Sequence, residues 1–371
     1  MRGNDVLGII FSNMHDEKIA ELTNVRTMGS VPFGGRYRLV DFPLSNMANA
    51  GVTKVGIITK RNYQSLMDHV GSGKFWNLSR KSDGLFILPP FGNGNEIYHN
   101  RVEALNGILP FIVHSREKYV LLSDSNVVCT TDYQELVRQH IKSGANITAA
   151  YKSMRIPEKA DTALELTIGS DGFVNEFFID PETDSPVNLA LNIFVMNKDF
   201  LVEALKDAVS RDKTDFVRNI LKYQIAAHEV FAYELPDYVN VISSMSGYFS
   251  ANMEMLNGEI RSKIFMDKYP VFTKVRDAVP AKYGLSAVVK NSLVADGCVI
   301  EGEVCDSILF RGVKVEKGVT IRNSIIMQST VVGEESQLSY VIIDKNAVIK
   351  NGRTLSGCDT HPVFISKRSE V

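Results

Sequence analysis

With 371 residues, 44% of them apolar and 23% charged, the chain has the composition of a globular protein large enough for a sizeable core and more than one domain. A formal net charge of -2, with Lys and Arg scattered along the sequence, offers no clustered basic face and excludes the electrostatics of nucleic-acid binding. No run approaches the roughly 20 apolar residues of a membrane span, and Val6 to Phe11 is too short for the core of a signal peptide, so a cytoplasmic protein is expected.

Val6–Phe11 opens a rhythm of short β-branched runs and amphipathic stretches: Val55–Thr59 then Tyr63–Val70, Tyr119–Leu122 then Tyr133–Ser143, and Ile147–Tyr151. That alternation means βαβ units and a mostly parallel sheet. Leu164–Ile168 and Phe173–Ile179 flank Gly-Ser-Asp-Gly, a hairpin turn sequence. Residues 1–250 are therefore expected to form a Rossmann-like α/β domain with a mixed sheet. Residues 251–286, with a helical Ala251–Ile264 followed by Pro270 and Pro280, read as a helical and irregular linker. From 287 to 371 apolar residues recur about every six positions, as at Val288, Val294 and Ile300 or Ile326, Val332 and Leu338. That period predicts hexapeptide repeats winding a left-handed parallel β-helix, with Gly297, Gly312, Gly318 and Gly333 near the corners; a small antiparallel sandwich is the alternative.

The loop after the first strand, Phe11-Ser-Asn-Met-His-Asp-Glu-Lys-Ile19, holds no glycine. A loop that wraps a triphosphate needs glycines so that its amides can approach the phosphate oxygens, and Asp16-Glu17 would set negative charge against them. Arg36 and Arg38, two apart on a predicted strand, point to one side and with Arg26 are candidates for holding an anionic effector; the structural reading is pairing with Asp41 or neighbouring acids. His15 and His99 have no sequence partner that would orient a base, and Lys60-Arg61 reads as a surface pair. Trp76 and Phe75 pack within the domain or under a second subunit. Cys129, Cys298, Cys305 and Cys358 lack Cys-x-x-Cys spacing and read as reduced and buried.

Arg26 with Val31-Pro-Phe-Gly-Gly-Arg-Tyr-Arg-Leu-Val-Asp-Phe-Pro-Leu-Ser-Asn46 resembles the bacterial ADP-glucose pyrophosphorylases (glucose-1-phosphate adenylyltransferases), which make ADP-glucose from ATP and glucose 1-phosphate for glycogen synthesis. Gly92-Asn-Gly-Asn-Glu-Ile-Tyr-His-Asn100 and Tyr248-Phe-Ser-Ala-Asn-Met253 are similar to further segments of that family, and the repeats match its C-terminal β-helix. The resemblance implies a nucleotidyltransferase fold with a degenerate site. The family's glycine loop falls on Asn13, Met14, Asp16 and their neighbours, and a lysine falls on Met28. Its two metal-binding aspartates fall on Asn126 and Val241, and its sugar-phosphate lysine on Asp180. Asn is no hard anionic ligand and Val offers no oxygen, so no Mg²⁺ is expected on this chain, only at a catalytic partner.

These departures match the GlgD-type companion branch. The resemblance then implies a non-catalytic, regulatory subunit that joins a homologous catalytic subunit in a heterotetramer, with Arg26, Arg36 and Arg38 facing a sugar-phosphate or phosphate effector; in catalytic relatives a basic residue at the position of Arg36 serves that site. The alternative is an active nucleotidyltransferase with an unusual site that recruits Asp124 or acids of the Phe11–Ile19 loop. A hexapeptide acyltransferase would need a general base, and the repeats hold no histidine before His361.

Overall fold

The computed structural model describes residues 5–81, 83–90, 98–158, 160 and 162–371. Val6–Phe11 is buried along its whole length, as an unbroken apolar run requires, because it lies mid-sheet between Lys54–Ile58 and Tyr119–Asp124, parallel to both. Gly8 belongs there, since a Cβ would meet the Met47 sulfur at 2.6 Å. Gly84–Leu88 extends the sheet in parallel on one side. On the other, Val187–Asn197 runs antiparallel to Tyr119–Asp124 and leads to the hairpin of Leu164–Ile168 and Val174–Ile179, whose turn takes Gly172 at φ +85. Ile147–Met154 and Val230–Glu234 complete the nine strands. The helix Tyr133–Ser143 starts where Asp132 accepts from the amides of Gln134 and Glu135, and stops at Gly144.

The helix expected over Ala251–Ile264 is instead two. Met245–Met253 ends in a 3₁₀ turn and Gly258–Ile264 restarts, because the Asn257 side chain accepts from the amides of Glu259 and Ile260 and so caps a new helix. Three parallel five-stranded sheets follow, one strand of each per coil, which is the left-handed β-helix rather than a sandwich. The first rung, Lys282–Tyr283, precedes Ala287 and pairs with Val299–Ile300. Gly297, Gly312 and Gly318 take positive φ at corners, whereas Gly333 is required for space: a Cβ would lie 2.4 Å from the Asn351 side chain.

The two domains share a core. Phe33, Leu39 and Phe42 of the segment 31–46 pack with Tyr248 and Phe249 and with Ile308, Ile325 and Ile342 of successive coils. Trp76 is settled within its own domain, 1% exposed, its indole N–H donating to the Ser45 hydroxyl at 3.2 Å. Cys129 and Cys298 are buried as expected, but Cys305 is only partly covered and Cys358 is exposed on the last coil. Among the described residues no helix is long and apolar enough to cross a membrane.

Candidate functional site

The parallel strands end at Phe11, Ile58 and Asp124, and beyond their carboxyl ends opens a cleft of about 900 Å³. Its lining includes Asn13, Met14, His15, Asp16, Lys60, Tyr98 and Arg101. The glycine-free loop is closed upon itself. Asp16 turns inward: Oδ1 accepts the Met28 amide at 2.8 Å and Oδ2 accepts Asn13 Nδ2 at 2.5 Å, while Asn13 Oδ1 accepts the Lys60 amide at 2.9 Å. Burial raises the Asp16 carboxyl above the ordinary value, against the lowering by Asn13, the Met28 amide and Lys60. The Met28 side chain lies in the interdomain core and Met14 packs against the central one, so neither carries charge into the cleft.

Asp124, which the alternative reading recruits to a metal, has one of its two oxygens already committed. Its Oδ2 lies 2.8 Å from both Arg101 Nη2 and His15 Nε2, and the Arg101 guanidinium stacks 4.5 Å from the Phe11 ring centre. Burial opposes its ionised form, but Arg101 and His15 outweigh that and hold the carboxyl below the usual range. His15 thus has a carboxylate partner that sequence reading missed, because the two stand 109 residues apart. Lys60, read as a surface residue, places its ammonium 4.7 Å from the Tyr98 ring centre. Of the segment 92–100, only Tyr98, His99 and Asn100 lie within the described residues; Asn100 caps the helix Arg101–Gly107 by accepting from the Glu103 amide and so aims Arg101 at Asp124.

Asn126 and Val241, onto which the resemblance carries the family's metal-binding aspartates, lie close together. Val241 pairs with Val127, Asn126 Nδ2 donates to the Ile242 carbonyl at 3.1 Å, and both side chains line one small cavity beside His15 and Asn192. Val241 offers no oxygen, Asn126 only a neutral amide Oδ1, and Asp124 only the Oδ1 that Arg101 and His15 leave unpaired, so the three supply one free carboxylate oxygen between them and are a poorer set for Mg²⁺ than two aspartates. Among the described residues, no three His, Cys, Asp or Glu side chains gather as a metal-ligand group. Asp180 is not brought to the cleft. Exposed at the end of Val174–Ile179, it accepts the Ala163 amide at 2.7 Å and lines neither cavity, so the charge inversion expected of it acts elsewhere.

A separate cavity of about 40 Å³ lies between the domains, where Arg36 and Arg38 meet Lys274, Arg276, Arg311 and Lys345. No carboxylate lines it. Asp41, the expected partner, instead takes the Arg38 backbone amide and pairs with His69 at 2.5 Å, while the Arg38 guanidinium donates to Ser65. Arg26 lies outside the cavity in a buried ion pair with Asp344 of the β-helix, 2.7 Å long. Burial pulls Arg38 down to about 10, and Lys345 falls well below the ordinary lysine value through burial and then through Arg38 and Arg26. Among the described residues, six of the eight unsatisfied buried side-chain atoms lie near these two places: Tyr98 Oη, Arg101 Nη1, Asp124 Oδ1 and Asn126 Oδ1 around the cleft, Arg26 Nη1 and Arg311 Nε around the basic pocket.

Residues 8–257 match the nucleotidyl transferase family model, and residues 277–361 match the GlmU-like C-terminal hexapeptide model. The glycogen biosynthesis protein GlgD of Bacillus subtilis is 34% identical, covering 99% of this chain and 97% of that protein. GlgD of Geobacillus stearothermophilus is 34% identical over 86% of this chain and 83% of its own. A glucose-1-phosphate adenylyltransferase of Clostridium perfringens is 29% identical over 89% and 86%.

Proposed function

The chain belongs to the glucose-1-phosphate adenylyltransferase family, in its GlgD branch, and on that premise we propose that it is a cytoplasmic, non-catalytic subunit of the enzyme that makes ADP-glucose in glycogen biosynthesis. One observation carries the reading. Asn126 and Val241, onto which the resemblance carries the family's two metal-binding aspartates, line one small cavity, and Asp124 gives one of its oxygens to Arg101 and His15. Phosphoryl transfer depends on a metal and on preorganised charge around the phosphates, and loss of a single such stabiliser typically costs about 10²- to 10³-fold in rate.

What remains is a scaffold and the basic pocket. A regulatory subunit needs differential affinity for two states of its catalytic neighbour, and it needs no chemistry. In this reading the partner is a homologous catalytic chain in a heterotetramer, and the pocket of Arg36, Arg38, Lys274, Arg276, Arg311 and Lys345 takes a phosphate or sugar-phosphate effector. Arg26 serves the same site from behind, by fixing Asp344 and with it Lys345.

Synthesis of ADP-glucose by this chain alone, by the catalytic homologue alone and by the two together tests the proposal. Little or no turnover is expected alone, and more from the mixture than from the homologue. Equal rates with and without this chain would remove the regulatory claim.

A further inference from the structure

The Asp16 carboxylate has the surroundings of a bound anion. It receives the Met28 amide at 2.8 Å and the Asn13 amide group at 2.5 Å; burial raises its carboxyl above the ordinary value, against the lowering by these two donors and by Lys60. Its own carbonyl is held by the Thr23 hydroxyl at 2.5 Å, which fixes the residue as the hinge of the loop. These donors converge at the wall of a cleft wide enough for a ligand many times the size of a carboxylate. Glu17 lines the same cleft but remains exposed, so the two neighbouring acids are not equivalent.

We propose that Asp16 is a built-in surrogate for a phosphate group: it fills the cleft's anion seat from within, and emptying that seat opens a site for a linear polyphosphate. Without this carboxylate the Met28 N–H and the Asn13 amide lose their acceptor beside the Lys60 charge, and an external anion satisfies all three. The loop therefore excludes a polyphosphate by occupancy, which is more specific than repulsion by general negative charge. The inference deepens the reading of the cleft as degenerate, but it involves no partner chain. Binding to the isolated protein thus tests it independently of the activation assay.

Tripolyphosphate without magnesium is the probe, and because it is also an anion for the basic pocket, the readout is local: the NMR signal of a ¹³C-labelled methyl on Met14, which lines the cleft. Asp16→Gly, which empties the seat, is expected to shift that signal at concentrations about tenfold or more below those required by the unaltered chain. Asp16→Asn, which neutralises the charge but keeps the volume, falls between them, and Glu17→Gln matches the unaltered chain. An unchanged titration of Asp16→Gly, or an equal gain in Glu17→Gln, overturns the proposal. Should both Asp16 variants fail to fold, hydrogen exchange at the Met28 amide of the unaltered chain decides. Protection indifferent to tripolyphosphate supports an internally filled seat. An unprotected amide, or one slowed by added tripolyphosphate, means that the seat is open and sinks the idea.

Discussion

The cleft at the strand ends and the pocket between the domains both gather ionisable groups, yet they resolve them in opposite ways. In the cleft the charges are matched from within: Asp124 by Arg101 and His15, Asp16 by the Asn13 side chain and the Met28 amide. In the pocket six cations face one another; Arg311 pairs outward with Asp296 at 3.5 Å, while Asp41 is taken up by His69 and Asp344 by Arg26. A site whose counter-ions are internal has little left to offer a charged ligand. One whose like charges are crowded and partly desolvated gains free energy from an external anion. The difference lies in who supplies the neutralising charge, and the number of charged residues alone does not reveal it.

The largest effect expected from breaking this arrangement is at Arg26. Arg26→Ala leaves Asp344 ionised and buried, 1% exposed on its side chain, which should cost about 3–5 kcal/mol by chemical denaturation. Adding Asp344→Asn should recover part of that loss; a single variant as stable as the parent would mean that the ion pair does not lock the domains. Asp124→Ala does the corresponding damage in the cleft, stranding Arg101, at about 3 kcal/mol. The sign of its pH dependence is fixed. The folded-state value of Asp124 lies below the ordinary 3.8, so its stabilisation is present above that value and is lost as the pH falls through the lower one. Melting curves of parent and Asp124→Ala should therefore converge on acidification below about pH 4.

The pocket offers a gentler test. Arg276→Ala should weaken binding of inorganic phosphate about tenfold, read by calorimetry, while leaving the melting temperature nearly unchanged. Lys345 adds a proton linkage. Its folded-state value is depressed, so unfolding takes up a proton and the protein gains stability as the pH rises from that value toward 10.5. A bound anion favours the charged form, so phosphate binding should take up protons, and the observed heat should change with the ionisation enthalpy of the buffer. Lys345→Met should reduce that dependence to the part contributed by the ionisation of phosphate itself.

The sheet and the β-helix were legible because each rests on local pattern: β-branched runs and a six-residue period. The ion pairs were not. Arg26 finds Asp344 318 residues away and His15 finds Asp124 109 residues away, and no spacing rule connects positions brought together only by tertiary packing. The break at Asn257 is a different lapse. An Asx cap signal was present but submerged in an apolar stretch that favours helix on both sides. The segment 31–46, which carries the family resemblance, also builds the core between the domains, since Phe33, Leu39 and Phe42 pack with the coils of the β-helix, whose position relative to the sheet the sequence does not reveal.

Asp180 gives the smallest expected effect and a sharp check on the comparison. Aligned motifs put an acid where a sugar-phosphate lysine would stand, yet its backbone adopts φ +51 and its carboxylate caps the Ala163 amide at the strand's end, clear of the cleft. Asp180→Lys should therefore cost about 1 kcal/mol, the worth of one partly buried hydrogen bond, and should create no affinity for glucose 1-phosphate in the cleft. If calorimetry of that variant instead finds glucose 1-phosphate bound, with the basic pocket silenced by Arg276→Ala, one charge on a strand end was enough to turn the cleft away from its ligand. The internal pairs of Asp124 and Asp16 would then matter less than their burial implies.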